Sequence, residues 1–278
     1  MTEFLDVEGG RIGYDVTGQG PLIVLSPGIG DLRQAYRFLA PQLARAGYRV
    51  AAADLRGHGE SSIGSWASIS RTDVAGDQLA LIRHLGGPAV IVGHSISGGA
   101  ATIAAAQAPD LVSAIVEINP FTRVPKVDLG ALLRVRRYRR GGELMGGTQA
   151  FHSLKLWLRY LDLAYPSKPA DWADYTAALR AKLTEPGRMA EFMKTGKTTP
   201  ADAAAQLPNV RCPALIIMGT EDPDFPDPRA EGEAIAAALR AGLGTVETID
   251  GAGHYPHAQC PDEVAALVTG FLSERVRA

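Results

Sequence analysis

The stretch AVIVGHSISGGAAT, residues 89–102, decides the fold of this chain. Its apolar run 89–92 is typical of a buried strand, and a helix is predicted directly after the polar residues that follow. Ser95 lies between them, on a tight turn that needs small neighbours such as Gly93 and Ser97. Such a turn holds a hydroxyl clear of the backbone at the positive end of a helix, so Ser95 is a candidate nucleophile. A serine that only caps the helix is the alternative.

Apolar strands and helical patterns alternate on both sides of this turn. Strands are predicted at 22–25, 48–53, 89–92, 112–118, 214–218 and 245–249, and helices at 34–45, 73–85, 96–108, 229–241 and beyond 260. Continuous apolar strands that alternate with helices indicate an α/β fold with a mostly parallel sheet covered on both faces. The first twenty residues differ, because 4–7 and 11–16 flank Gly9 and Gly10 and predict an antiparallel hairpin attached to the sheet.

Residues 120–207 interrupt the alternation. They carry 15 Lys and Arg against 8 Asp and Glu, and 9 of the 18 aromatic residues, in a chain whose net charge is -2. Apolar residues recur there at helical spacing, which predicts helices with one buried face. We therefore expect a core formed by 1–119 and 208–278, interrupted by a helical insertion at 120–207.

Composition excludes several classes of protein. The 278 residues have a near-neutral balance of charge, so a nucleic-acid partner is not indicated, and no apolar run is long enough for a membrane span. The two cysteines, Cys212 and Cys260, form neither a disulfide framework nor a CxxC pair. The first residues are acidic where a signal peptide would be basic. These observations predict a soluble cytoplasmic protein that acts on a small molecule, with its oligomeric state left open.

Further segments give the chain a resemblance to the α/β-hydrolase superfamily over nearly its whole length. They are LSPGIGD (25–31), DLRGHGESS (54–62), GTEDPDFP (219–226) and GAGH (251–254). These segments resemble the superfamily's oxyanion loop, the loop after the next strand, the acid loop and the histidine loop. Two departures are Ser97, where the elbow usually has glycine, and Pro27-Gly28, where the oxyanion loop often has His-Gly. Serine is small enough for the turn. The second departure leaves the subfamily within the superfamily undefined.

The resemblance implies the triad order Ser95, Asp222 and His254. Serine is a poor nucleophile at neutral pH and needs a base within hydrogen-bond reach. His254 is the preferred base and His257 the alternative. His94, next to Ser95, is predicted to pack beneath the sheet.

The histidine needs a carboxylate that fixes its tautomer. Asp222 has the spacing of the superfamily's acid loop. Its neighbours Glu221 and Asp224 are expected to be solvated loop charges if they do not take this role. Glu117, after the strand at 112–118, is a more remote alternative.

The resemblance further implies an oxyanion hole from the backbone amides of Ile29 and Ile96, and a helical lid at 120–207. Trp157 and Trp172 of that lid are predicted to wall a substrate pocket over Ser95, although both could instead pack the lid onto the core.

The lid also carries an arginine run, which on a helix would point in almost all directions. We therefore interpret it as a solvated, mobile segment flanked by Gly141-Gly142 rather than an anion clamp. The run comprises Arg134, Arg136, Arg137, Arg139 and Arg140.

The sequence thus predicts a serine hydrolase that cleaves a small carboxylic ester or lactone through an acyl-enzyme. The same triad would serve carbon–carbon bond hydrolysis or perhydrolysis. Non-hydrolytic alternatives are a ligand receptor, or a cofactor-free dioxygenase or cyclase that uses His254 and Asp222 as its base. No metal cluster and no phosphate-cradling glycine pattern is found in the sequence, so no metal, nucleotide or redox cofactor is predicted.

Overall fold

The computed structural model describes residues 1–64, 66–124 and 128–276. Eight strands form one sheet: β1 (Glu3–Val7), β2 (Gly10–Thr17), β3 (Leu22–Ser26), β4 (Arg49–Ala53), β5 (Ala89–His94), β6 (Val112–Ile118), β7 (Ala214–Gly219) and β8 (Gly244–Ile249). Their order is β1-β2-β4-β3-β5-β6-β7-β8. β2 is antiparallel to β1 and to β4, whereas the other neighbours are parallel. The predicted sheet and its N-terminal hairpin are confirmed.

Helices cover both faces of the sheet and also form the segment between β6 and β7. In chain order they are α1 (Leu39–Arg45), α2 (Arg71–Leu85), α3 (Ile96–Gln107), α4 (Leu129–Arg134), α5 (Arg136–Phe151), α6 (Leu154–Ala164), α7 (Trp172–Thr184), α8 (Arg188–Thr195), α9 (Ala201–Gln206), α10 (Pro228–Ala238), α11 (Pro256–Gln259) and α12 (Pro261–Arg275). Successive residues of one strand enter different apolar clusters, Val90 one and Ile91 the other. A strand buried on both faces reads as a continuous apolar run, which is why these strands could be predicted.

Two predicted helix starts are wrong. The segment predicted as one helix over 34–45 is a 3-10 turn, Arg33–Tyr36, followed by α1. Pro41 has no amide hydrogen and is tolerated only in a first helical turn, which keeps the helix from beginning earlier. Helix α2 begins at Arg71 rather than 73, because Ser70 and Asp73 form a capping box.

The described residues between β6 and β7 are mostly helical and form α4 to α9. Helices α5 to α8 contribute most of a third apolar cluster, which includes Trp157, Tyr160 and Phe192 and reaches Leu32 and Tyr255 of the core. Asp171 is the N-cap residue of α7, but its side chain makes no capping hydrogen bond. Its carboxylate instead accepts two hydrogen bonds from Arg37, at 2.5 and 2.6 Å. The last helix of the segment between β6 and β7, α9, packs on α3 and places Ala203 in the main apolar cluster of the core.

The carboxyl ends of the parallel strands meet at one edge of the sheet, beneath this insertion. In sheets of this kind ligands bind outside those ends. Helices in the described ranges are all too short or too polar to cross a membrane.

Candidate active site

Ser95 follows β5 directly and has φ +55 and ψ -117, a backbone conformation that L side chains rarely adopt. A Cβ on Gly93 would lie 2.2 Å from the carbonyl oxygen of Ser97, so the turn requires glycine there. The hydroxyl of Ser97 donates to the carbonyl oxygen of Pro27 at 2.6 Å. Ser97 thus fits the turn and also ties it to the loop that follows β3.

His254 and Asp222 lie in direct contact in the structure. The Nδ1 of His254 donates to Oδ2 of Asp222 at 2.7 Å, and the backbone amide of Asp224 donates to the other carboxylate oxygen at 2.8 Å. Both side chains are buried. Ser95 and His254 line one cavity, although no hydrogen bond between Ser95 Oγ and His254 Nε2 is formed in the described part of the chain. Such bonds are often long before substrate binds.

Asp224 differs from its predicted place as a solvated loop charge. Its side chain is only 8% exposed, lines the cavity, and accepts a hydrogen bond from the hydroxyl of Tyr160 at 2.6 Å. Its Oδ2 lies 3.5 Å from Nδ1 of His254. The cause is Tyr160 of α6, which the sequence places far from the acid loop. The third carboxylate of that loop, Glu221, is exposed as expected.

His94 does more than pack. Its Nε2 lies 2.8 Å from the carbonyl oxygen of His254, and because a carbonyl only accepts, Nε2 carries the proton. Its ring centroid is 4.6 Å from that of His254. The residue before the candidate nucleophile therefore supports the loop of the candidate base. Its position next to Ser95 was the only sequence signal for this role.

The remaining candidates lie elsewhere. Glu117 is buried and accepts hydrogen bonds from Thr102 and Thr122, so it does not contact the histidine. His257 is buried between the rings of Tyr36 and His94, and it is not a cavity residue. Neither alternative is supported as the acid or the base.

The cavity has a volume of about 290 Å³ and is mostly apolar. Ile29, Ile96 and Trp157 line it, as expected of oxyanion-loop and pocket residues. The use of the Ile29 and Ile96 amides as oxyanion donors stays a prediction. Trp172 does not line the cavity, because its ring packs against Tyr165 at 4.5 Å between centroids.

The arginine run lies at the end of α4 and the start of α5, and Gly141-Gly142 do not bound it as a separate segment. Gly141 and Gly142 lie inside α5, and a Cβ on Gly141 would be 2.6 Å from the carbonyl oxygen of Pro223. Glycine thus lets α5 approach the acid loop closely. Arg137 donates to the carbonyl oxygen of Thr220 at 3.1 Å, while Arg140 is exposed and bound to Glu143.

Burial and charge act in opposite directions on the candidate base. Burial alone would lower the pKa of His254, but the charges of Asp222 and Asp224 outweigh it and raise that pKa above 6.5. Burial raises the pKa of Asp224 to about 6, with His254 opposing and Asp222 adding to the rise. The site thus stabilises the imidazolium more than water would, and the imidazolium is the state that a general base reaches during turnover.

The same three side chains are the one group in the described residues that could hold a metal, with their ligand atoms within 4.8 Å of one another. The hydrogen bonds of His254, Asp222 and Tyr160 already account for their proximity.

A serine on a strand-to-helix turn, with an acid and a histidine on later strand ends, defines the α/β-hydrolase class of fold and site. The chain belongs to the alpha/beta hydrolase family, whose sequence model matches residues 23–267.

Two curated relatives and one solved structure illustrate the likeness. The 2-(acetamidomethylene)succinate hydrolase of Mesorhizobium japonicum is 30% identical, over 96% of this chain and 94% of that protein. Epoxide hydrolase A of Mycobacterium tuberculosis is 27% identical, over 97% and 96%. The enol-lactonase of Burkholderia xenovorans superposes with a TM-score of 0.73 at 22% identity, over 98% of this chain and 100% of that one. The structural likeness shows the fold alone.

Proposed function

We propose that this protein is a cofactor-independent serine hydrolase that cleaves a small carboxylic ester or lactone. The observation that carries the proposal is the positive φ of Ser95 in the wall of a cavity shared with His254, whose Nδ1 is held by Asp222 at 2.7 Å. A hydroxyl, a base and an orienting carboxylate in this order are what acyl transfer requires.

In this mechanism Ser95 Oγ attacks the carbonyl carbon while His254 Nε2 takes the hydroxyl proton. Asp222 keeps the proton on Nδ1 and stabilises the imidazolium. The amides of Ile29 and Ile96 hold the negative oxygen. His254 returns the proton to the leaving alkoxide, then removes one from the water that releases the acid and restores Ser95.

The nucleophile favours carbonyl substrates over epoxides. Attack of Ser95 on an epoxide carbon would leave a serine ether, which has no carbonyl for water to attack at the same centre. An acyl-serine is hydrolysed by repeating the first step with water. The relative named as a 2-(acetamidomethylene)succinate hydrolase supports hydrolytic chemistry in a chain of this length.

In this proposal the core and the insertion have different roles. Residues 1–119 and 208–278 carry the triad, and 120–207 act as a lid that supplies Trp157 and Tyr160 to the cavity wall. The apolar cluster that joins this segment to Tyr255 supports that role. Carbon–carbon bond hydrolysis with the same triad is the nearest competing activity.

The decisive experiment is labelling with a serine-directed fluorophosphonate, followed by mass spectrometry and a screen of short acyl esters and lactones. We expect modification of Ser95 and no labelling of Ser95→Ala, with turnover reduced by roughly 10^4-fold or more. Ser97→Gly, which restores the residue usual at this turn, is the matched control and should label normally. Absence of labelling at Ser95 would favour a receptor or a base-only enzyme, and cleavage of a diketone but no ester would favour a carbon–carbon hydrolase.

A further inference from the structure

Arg71 is a buried cation in the wall of the cavity that holds Ser95. It is the first residue of α2 and is 6% exposed, and its Nε donates to the carbonyl oxygen of Phe121 at 2.7 Å. In the described ranges of the chain its guanidinium forms no salt bridge, and its terminal nitrogens make no hydrogen bond. These nitrogens are not among the fully enclosed unpaired atoms, so they keep some accessible surface, and Arg71 lines the cavity.

A buried guanidinium without a counter-charge is costly, because desolvation of a charge is offset only by a partner. Burial lowers the pKa of Arg71 to about 10, and the charge of Asp202 opposes this only in part. The Asp202 carboxylate is itself engaged by the hydroxyl of Thr72, at 2.8 Å. The cavity therefore holds a positive charge that the protein does not neutralise.

The position of Arg71 sets the distance to the reacting centre. A Cβ on Gly99 would lie 2.9 Å from Cδ of Arg71, so the arginine packs directly on α3 at that residue. Gly99 is one turn beyond Ser95, or about 6 Å along the helix axis. A ligand that reaches from Ser95 to the guanidinium thus spans only a few carbon atoms.

We propose that Arg71 binds a carboxylate of the substrate, and that the preferred substrates are half-esters of short dicarboxylic acids. The inference rests on the proposed serine hydrolase and names its substrate class. Gln149 of α5 offers a further amide donor, because it lines the same cavity and its side chain has no hydrogen-bond partner in the described residues. This anion contact is separate from the arginine run of the insertion, to which the exposed Arg140 belongs.

The charges in the cavity orient such a substrate. Asp224 stands beside His254 and Tyr160, whereas Arg71 is bound to Phe121. A carboxylate is repelled from the acid loop and attracted to Arg71, which leaves the ester group next to Ser95. The name of the Mesorhizobium relative's substrate describes a dicarboxylate, a succinate, which agrees with this assignment.

The test compares monomethyl succinate and monomethyl glutarate with their uncharged primary-amide analogues, which have nearly the same shape. For the natural chain we expect kcat/KM to be about 100-fold higher for the half-esters, as a charge-assisted paired contact implies. Arg71→Gln should remove that preference while changing the amide analogues less than about 3-fold. Arg71→Lys should recover part of it. Arg140→Gln, an exposed arginine of α5, is the matched control and should change neither series.

A binding measurement separates this inference from the proposed function. In Ser95→Ala, calorimetry with glutarate should show binding that is lost in the Ser95→Ala, Arg71→Gln double variant. If both variants bind glutarate alike, or if the natural chain cleaves the amide analogues and the half-esters equally well, the proposed role of Arg71 is wrong. The proposed serine hydrolase activity is not affected by that result. If no ester is cleaved and Ser95 is not labelled, the proposed hydrolase activity is wrong. The glutarate measurement still tests whether Arg71 binds a carboxylate.

Discussion

The side-chain amide of Asn119 donates a hydrogen bond to the carbonyl oxygen of Gly253 at 2.8 Å. Its oxygen accepts one from the backbone amide of Gly219, also at 2.8 Å. Asn119 follows β6, is buried and has φ +41. Because Gly253 precedes His254 and Gly219 begins the loop of Asp222, one side chain fixes the spacing between candidate acid and base.

Asn119→Asp should break this connection with little change of shape. A carboxylate oxygen would face the carbonyl oxygen of Gly253, so a buried hydrogen bond becomes a repulsion. We expect a loss of about 2 kcal/mol in the free energy of unfolding and at least a 10-fold fall in kcat. Urea unfolding and ester kinetics measure both. The exposed Asn209→Asp is the control, and equal effects of the two variants would rule out the bridging role.

Asp222→Asn should lower kcat by roughly 10^4-fold, because an amide favours the wrong histidine tautomer. Asp224→Asn should cost far less but should shift the pH profile. The activity needs neutral His254, and the charges of both carboxylates raise the pKa of His254, so kcat/KM falls as the pH drops through this raised pKa. Removing the charge of Asp224 should move this acid limb to lower pH. A larger loss in Asp224→Asn than in Asp222→Asn would reverse the assignment of the acid.

Glu117 makes stability depend on pH. Burial raises its pKa to about 7 from 4.5, which means that the folded state holds the proton more tightly than the unfolded state. Stability is therefore greatest below pH 4.5 for this group and declines as the pH rises to 7, by at most about 3 kcal/mol. Glu117→Gln should flatten this decline between pH 5 and 8, as followed by chemical unfolding. Parallel curves for both proteins would contradict the prediction.

Trp157 and Trp172 should respond differently to the same change. The Nε1 of Trp157 donates to the carbonyl oxygen of Gly30 at 3.2 Å, inside the cavity wall. Trp157→Phe should alter KM and acyl-chain preference, because it frees space and a carbonyl beside the substrate. Trp172→Phe should leave both unchanged, since that ring packs on Tyr165. A screen of ester chain lengths compares them, and identical profiles would remove Trp157 as a specificity residue.

The fold and the pairing of His254 with Asp222 could be predicted because their signals are local. The strand at 112–118 has the predicted bounds, since a strand buried on both faces is apolar throughout. Ser95 is marked by small neighbours, and the Asp222 and His254 loops by their own short motifs.

The rest of the site depends on contacts between distant parts of the chain. Asp224 is buried by Tyr160, 64 residues away, and the sequence alone predicts an exposed carboxylate. From the sequence, Arg71 is an ordinary charged residue at a helix start. In the structure it is buried, and its Nε donates to the carbonyl oxygen of Phe121. Trp172, like Trp157, lies on the apolar face of a predicted helix, so the sequence does not distinguish the two. The packing of the Trp172 ring against Tyr165 depends on the tertiary structure.

The positive φ of Ser95 puts folding and turnover in conflict. A side chain in that conformation costs about 1–3 kcal/mol, a penalty that glycine largely avoids. Ser95→Gly should therefore melt at a higher temperature than the natural chain and be inactive. Variants chosen for heat resistance alone would drift toward losing the hydroxyl, so any programme of thermal stabilisation needs an activity screen at every round.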